Sequence, residues 1–244
     1  AKAIAYAKKL PLIGVHHIEG HICANYIENK ELEPPFICLV VSGGHTALFD
    51  VRDYTDFRLI GGTRDDAAGE AFDKIGRVIG LPYPGGAALD KAAKLGDETK
   101  YTLPRSKPGE NPYNMSFSGL KTAALNLIHH AEQIGEEIDI PGLCASFCAA
   151  VSDTLVPRVV RAIQETDCKK IAVAGGVAAN SRIRADFERE TSQAGIKLFA
   201  PPLRLCGDNG AMIGAQAYYE YLAGNVADMS LNAYATKSIL GETL

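Results

Sequence analysis

The sequence predicts an α/β fold, and three observations carry that prediction. Three short apolar runs, Phe36 to Val41, Ala47 to Arg52 and Phe57 to Gly61, follow one another across brief turns, as the strands of an antiparallel meander do. Farther on, the buried-type run Lys170 to Ala174 leads through a helical stretch, Ser181 to Ala194, into a second run, Lys197 to Ala200, the alternation of a parallel unit. Between these regions the apolar residues recur at helical spacing, and Pro141 to Glu165 is long enough to lie as a spine against a sheet.

Taken in order, Ala1 to Leu10 reads as a helix already under way, followed by a short strand, Leu12 to Val15. A helix bearing His17 and His21 fades near Asn29, and Glu31-Leu32-Glu33-Pro34-Pro35 interrupts the pattern, so a boundary is expected between 1–33 and 34–244. After the meander a helix from Asp65 to Ile79 places Ala68, Ala71, Phe72, Ile75, Val78 and Ile79 on one face. Gly80 to Gly86 ends it, and another helix runs from Ala87 to Leu95. The polar, Pro-bearing stretch from Gly96 to Asn114 is the longest irregular piece, followed by helices over Gly119 to Ile134 and Pro141 to Glu165. The last strong helix is expected from Asn209 to Leu222.

A chain of 244 residues, 47% hydrophobic and 22% charged, can bury a sizeable core as one large domain or two modest lobes, which excludes a disordered chain. No apolar run reads as long enough to span a membrane and no leader is evident, so a cytoplasmic protein without a membrane partner is expected. The six cysteines form no CxxC pair; Cys144 and Cys148, four apart on a helix, read as core residues. A net charge of −4 gives no overall electrostatic footprint for nucleic acid, so contact with RNA would need a local patch, with Lys100, Arg105, Lys107 and Lys121 as candidates.

Two segments carry metal-site chemistry. His17 and His21, four apart on a helix, share one face and can meet one ion, and Asp208, in a Gly-flanked loop before a helix, is the candidate third ligand. Two imidazoles and a carboxylate leave coordination positions open on zinc or ferrous iron; read singly, Asp208 is also an ordinary helix cap. Two further segments suit a nucleotide. Ser42-Gly43-Gly44-His45-Thr46 is a hairpin turn whose glycines let backbone N–H groups approach a phosphate. Gly175-Gly176-Val177-Ala178-Ala179-Asn180 carries a buried strand into a helix N-terminus and is neither a GxGxxG fingerprint nor a Walker loop.

With His16-His17-Ile18-Glu19-Gly20-His21, Val41 to Thr46, Asp66-Ala67-Ala68-Gly69-Glu70-Ala71-Phe72-Asp73-Lys74, Tyr83-Pro84-Gly85-Gly86, Ser116-Phe117-Ser118-Gly119-Leu120-Lys121-Thr122, Gly175 to Asn180 and Asp208-Asn209-Gly210-Ala211-Met212 in this order, the chain resembles the bacterial TsaD family, the tRNA N6-adenosine threonylcarbamoyltransferases, once called glycoproteases. The resemblance covers essentially the whole chain. It implies an actin-like, ribonuclease H-like two-lobed fold with the first lobe incomplete: 1–33 would be the end of that lobe and 34–244 the second, with room for its C-terminal end to return to the first. It implies His17, His21 and Asp208 as ligands of one divalent metal, Fe2+ or alternatively Zn2+. Val40, Val41, Ser42, Gly43 and Gly44 match the substrate-binding hairpin; Asp73, Gly86 and Asp90 match contacts to the nucleoside sugar and nearby groups, and Asn180 an adenylate contact.

The implied reaction moves a threonylcarbamoyl group from threonylcarbamoyl-AMP to N6 of the adenosine 3′ to the anticodon in tRNAs reading codons that begin with A. Ser42 and His45 are candidates beside the metal for a part in that chemistry. The implied partners are tRNA, a TsaB-type paralogue and a TsaE-type ATPase. Three alternatives stay open: an ATPase or small-molecule kinase of the actin-like superfamily, a metal-dependent glycoprotease, and a non-catalytic scaffold. Zincins place Glu directly after the first His, whereas Ile18 follows His17, and Mg-ATP enzymes prefer carboxylate and water to imidazole.

Overall fold

β1 (Phe36–Val41) is apolar at every position and all six residues are buried, the signature of a strand covered on both faces. The computed structural model describes residues 1–107, 109–166 and 168–234, so the end of the second expected lobe lies outside the described residues. β1 pairs antiparallel with β2 (Thr46–Asp53), which pairs antiparallel with β3 (Asp56–Gly62). On its other edge β1 pairs parallel with β4 (Lys170–Ala174), and β4 pairs parallel with β5 (Lys197–Phe199), giving the order β3-β2-β1-β4-β5. The meander and the parallel unit expected from sequence are therefore two halves of one mixed sheet.

Alternation along β1 sorts its side chains between two cores. Ile37, Leu39 and Val41 enter one, against α4 (Ala68–Val78), α5 (Gly85–Ala93), α6 (Ser118–Ile134), α7 (Ile140–Thr166) and α8 (Ser181–Gln193). Phe36, Cys38 and Val40 enter the other, against α2 (His17–Cys23), α3 (Asn25–Glu28) and α10 (Gly210–Leu222). After β1 the chain turns back toward β2, whereas after β4 it crosses through α8 to β5, so the carboxyl ends of these neighbouring parallel strands form a topological switch point, where open α/β sheets place their ligands.

α7 has the length and apolarity to cross a membrane, contrary to the expectation that no run would, but 83% of its most apolar window is buried inside the protein. Its composition reflects a central position in the first core, where Cys144, Phe147, Cys148, Val151 and Leu155 all lie. Other local expectations change too, the start of α4 among them, at Ala68 rather than Asp65. The run Leu12 to Val15 is not a strand; after α1 (Lys2–Lys8) only Leu12 makes a bridge, to Ala227, because the run finds no partner along its length. The His-bearing helix is divided into α2 and α3. A short helix, α9 (Leu203–Cys206), was too brief to show a period.

Candidate metal and nucleotide site

α2 begins at His17 because His16, in extended conformation, accepts the Ile18 N–H on Nδ1 at 3.3 Å and caps the first turn. The helix then presents His17 and His21 one turn apart, with ring centroids 4.8 Å apart and planes at 83°. Asp208, in the loop before α10, brings Oδ1 to 3.3 Å from His17 Nε2 and 3.1 Å from His21 Nε2. Asn209, its neighbour, caps α10 by accepting the Met212 N–H at 2.9 Å. The cap that the sequence allowed for Asp208 therefore belongs to Asn209, and the Asp208 carboxylate is left to face the histidines.

The ligand atoms of His17, His21 and Asp208 all lie within 4.8 Å of one another. His21 is buried, and neither of its ring nitrogens has an aligned hydrogen bond, although Asp208 is close. Burial, and then the neighbouring His17, hold its pKa below the ordinary value against the pull of Asp208. A neutral, buried imidazole with an unspent lone pair, beside a second imidazole and a carboxylate, fits a divalent cation of the zinc or ferrous type. Glu19 takes no part in this cluster; its Oε2 accepts from Gln216 on α10 at 3.2 Å.

The hairpin turn after β1 is closed by the Ser42 N–H donating to the His45 carbonyl at 2.8 Å and the His45 N–H donating to Ser42 Oγ at 3.2 Å. Ser42 is buried by this arrangement, and a Cβ added at Gly43 or Gly44 would meet nothing within 4 Å. The face that the turn offers outward is therefore backbone. Val40 and Val41 point their side chains into opposite cores, so a ligand could meet only their main chain. Thr46 Oγ1 accepts the Ala68 N–H at 2.9 Å and so caps α4 from across the hairpin, while Gly69 packs against the Ser42 carbonyl. Gly175, at φ 89°, adopts a left-handed conformation and lies so close to the Val41 carbonyl that any side chain would strike it.

These turns open onto one cavity of about 470 Å3, lined by Gly43, Gly69, Phe72, Asp73, Tyr83, Gly86, Asp90, Val177, Asn180, Leu203 and Gly207. Five predicted substrate residues, Gly43, Asp73, Gly86, Asp90 and Asn180, meet there, as does Gly207, the residue before Asp208, while His17, His21 and Asp208 themselves do not line the cavity. Each polar one also holds a helix start. Asp73 Oδ1 accepts the Gly85 N–H at 2.8 Å; Asp90 Oδ1 accepts the Ser181 N–H at 2.9 Å and hydroxyl at 2.8 Å; Asn180 Oδ1 accepts the Ile183 N–H at 3.1 Å. Val40, Val41, Ser42 and Gly44 do not line the cavity.

Sequence reasoning did not single out Phe72, Tyr83, Val177 and Leu203 as lining residues; for Tyr83 the signal was its place in the Pro82 to Gly86 turn. Of the basic candidates for RNA, Arg105 is paired with Asp153 at 2.8 Å and Lys121 with Asp66 at 2.5 Å, whereas Lys100 and Lys107 are exposed.

The family model described as "tRNA N6-adenosine threonylcarbamoyltransferase" matches residues 1–215. A protein of that name from Clostridium botulinum (strain 657 / Type Ba4) is 51% identical over 233 residues, covering 96% of this chain and 68% of the relative. One from Clostridium perfringens (strain ATCC 13124) is also 51% identical, covering 96% and 69%. Among solved structures, full-length HypF in its phosphate- and nucleotide-bound form aligns with a TM-score of 0.65 at 17% identity, over 89% of this chain and 37% of that one. HypF from T. kodakarensis aligns with the same score and identity over 91% and 38%. This likeness places the sheet and its helices in the actin-like fold.

Proposed function

The chain belongs to the TsaD family of tRNA N6-adenosine threonylcarbamoyltransferases, and from that premise we propose the donor, the centre and the partners of its reaction. The donor is threonylcarbamoyl-AMP, and the acceptor is N6 of the adenosine 3′ to the anticodon in tRNAs reading codons that begin with A. N6 attacks the carbamoyl carbon, the bond from that carbon to the AMP phosphate oxygen breaks with its electron pair going to AMP, and N6 gives up one proton. The observation that carries the reading is the convergence of Gly43, Asp73, Gly86, Asp90 and Asn180 on one cavity, whose lining residue Gly207 immediately precedes Asp208 of the histidine cluster.

In this reading the backbone of Gly43, which lines the cavity, faces the donor phosphate, with Gly44 beside it on the same turn, and N–H groups there stabilise charge that grows as AMP leaves. Asp73, Asp90 and Asn180 take the nucleoside sugar and adenylate, and Val40 and Val41 contribute main chain only. His17, His21 and Asp208 hold a divalent ion, Fe2+ or alternatively Zn2+, which supplies Lewis acidity and a template. His45, at the close of the glycine turn with its N–H donating to Ser42 Oγ, is the candidate to receive the N6 proton. A TsaB-type paralogue and a TsaE-type ATPase complete the assembly, which acts in the cytoplasm.

The test is transfer to unmodified tRNA from threonylcarbamoyl-AMP, with metal-loaded protein and both partner proteins, read by mass spectrometry of the released nucleosides. The wild type is expected to add threonylcarbamoyl to adenosine, and His17→Ala and Asp208→Ala to lose both product and bound metal. Absence of product from the loaded wild type, or full activity in both variants, refutes the reading.

A further inference from the structure

His17 and His21 ride on α2 while Asp208 stands at the start of α10, so the spacing of the three depends on how those two helices are set against each other. At roughly 100° per residue, Gly20 lies on α2 between two pairs of side chains, His17 with His21 on one flank and Glu19 with Cys23 on the other. Gly20 is where the helices approach: a Cβ there would meet Ile213 Cδ1 at 3.1 Å and Met212 Cγ at 3.5 Å. On the flank away from the histidines stands Gln216 of α10, fully buried. Its Oε1 accepts from the Cys23 thiol, and its Nε2 donates to Glu19 Oε2 at 3.2 Å and to Glu220 Oε1 at 2.5 Å. One side chain of α10 therefore grips α2 at two residues that straddle His21 in sequence.

We propose that Gln216 is a positioning residue for the metal centre, fixing the register of α2 against α10 and with it the separation of His17 and His21 from Asp208. The inference rests on the metal reading above. It follows from the shape of the contact: the glycine approach sets how near the helices lie but offers no directional bond to stop them sliding, whereas the Gln216 amide bonds three partners in fixed directions. Gln216 is six residues into the helix from Gly210, about 9 Å along its axis, so a small change of helix angle at Gln216 is carried to the ligand end. An apolar replacement would fill the volume but leave the Glu19 and Glu220 carboxylates facing each other without the amide between them. Groups that orient metal ligands from behind typically contribute about 10–100-fold to metal affinity.

The experiment uses Zn2+ as a redox-inert probe, with affinity from competition against a chromophoric chelator and thermal midpoints with and without Zn2+. Wild type, Gln216→Leu, Gly20→Ala and, as reference, His21→Ala are compared. Gln216→Leu is expected to raise the Kd for Zn2+ by about 10–100-fold and to shrink the rise in Tm that Zn2+ produces. A residue that only supports the fold would lower both midpoints equally and leave Kd alone. Gly20→Ala disturbs the same contact without touching the amide network, so it keeps the test open if Gln216→Leu fails to fold; it is expected to weaken Zn2+ binding in the same direction. A Kd unchanged in the variants that fold, beside a wild type that binds, overturns the positioning role alone. A wild type that takes up no Zn2+, indistinguishable from His21→Ala, overturns the metal centre and this role with it.

Discussion

Gly69→Ala tests whether the glycine hairpin and α4 form one rigid unit. Helix propensity alone predicts a gain, because Gly in a helix costs about 0.4–1 kcal/mol relative to Ala where the backbone is compatible. The packing predicts the reverse. A Cβ on Gly69 would stand 2.7 Å from Gly43 Cα and from the Ser42 carbonyl carbon, and closer still to the Ser42 oxygen, all backbone atoms held between β1 and β2. Neither side can move cheaply, because Thr46 of the same hairpin caps α4. Overpacking of this kind costs about 1–3 kcal/mol, so the net loss is about 1–2 kcal/mol, or roughly 2–8 °C in Tm for a chain of this size. Gly119, near the start of α6, has nothing within 4 Å of an added Cβ, and Gly119→Ala is expected to be neutral or stabilising by up to about 1 kcal/mol. The assay is thermal and urea unfolding of both variants, with AMP affinity measured alongside, since Gly43 lines the cavity. A Gly69→Ala protein as stable as the wild type with unchanged AMP binding would refute the rigid-unit argument.

The Asp186 carboxyl would rise on burial, but hydrogen bonds from Ser152, Arg182 and Arg189 outweigh that and hold its pKa below the ordinary value of roughly 3.9. Its contribution is therefore complete above the unfolded pKa and lost as pH falls through the folded one; the stability gap between wild type and Asp186→Asn should be widest near neutrality and close under acid, and a pH-independent gap would contradict the assignment. Arg158 donates to the carbonyls of Asn114, Thr154 and Ser106 and so ties the middle and the end of the irregular stretch to α7; Arg158→Met should speed proteolytic cleavage between 104 and 114, and an unchanged cleavage rate would count against that role. Asp73→Asn keeps an acceptor for the Gly85 N–H while exchanging one carboxylate oxygen for an amide nitrogen, so Tm should hold while AMP binding weakens; a fall in Tm equal to that of Asp73→Ala would show that the carboxylate serves the fold alone.

The fold was legible where local pattern and tertiary demand agreed. β1 is apolar at every position because it is covered on both faces, and α7 shows its period because it is long. Leu12 to Val15 looked like a strand by the same pattern, but whether a short apolar run becomes one depends on a partner that residue types do not reveal. The start of α4 was misplaced by three residues for a similar reason. The helix was expected to begin at Asp65, yet the Asp65 carboxylate accepts from Ser116 Oγ, from the Phe117 N–H and from the Ser118 N–H and hydroxyl, at the start of α6, and α4 begins at Ala68. For the candidate site, the His17 and His21 spacing was a local signal, whereas Asp208 was a candidate by residue type and loop setting alone, with an ordinary helix cap as its rival, until the fold brought it beside the histidines. Gln216 carried no signal, since its meaning lies in Glu19 and Cys23, nearly two hundred residues earlier.

The residues at the cavity blur the distinction between structural and ligand-binding readings. Asp73, Asp90 and Asn180, the polar members of the predicted substrate set, each hold the start of a helix. Yet the two helix starts they hold, those of α5 and α8, stand at the cavity, which Gly86, Ala87 and Asn180 line. A helix N-terminus attracts an anionic or polar ligand only while its orphan N–H groups are aimed at one place. A carboxylate that spends one oxygen on a helix start has the other available for a nucleoside hydroxyl, and the cap is what keeps that second oxygen in position. For Asp90 the capping oxygen is Oδ1, and Oδ2 lies 3.6 Å from Lys94 Nζ, a looser engagement than either bond to Ser181. On the proposed function, fold and ligand binding would draw on different atoms of the same carboxylate, and replacing one oxygen at a time separates them where alanine cannot.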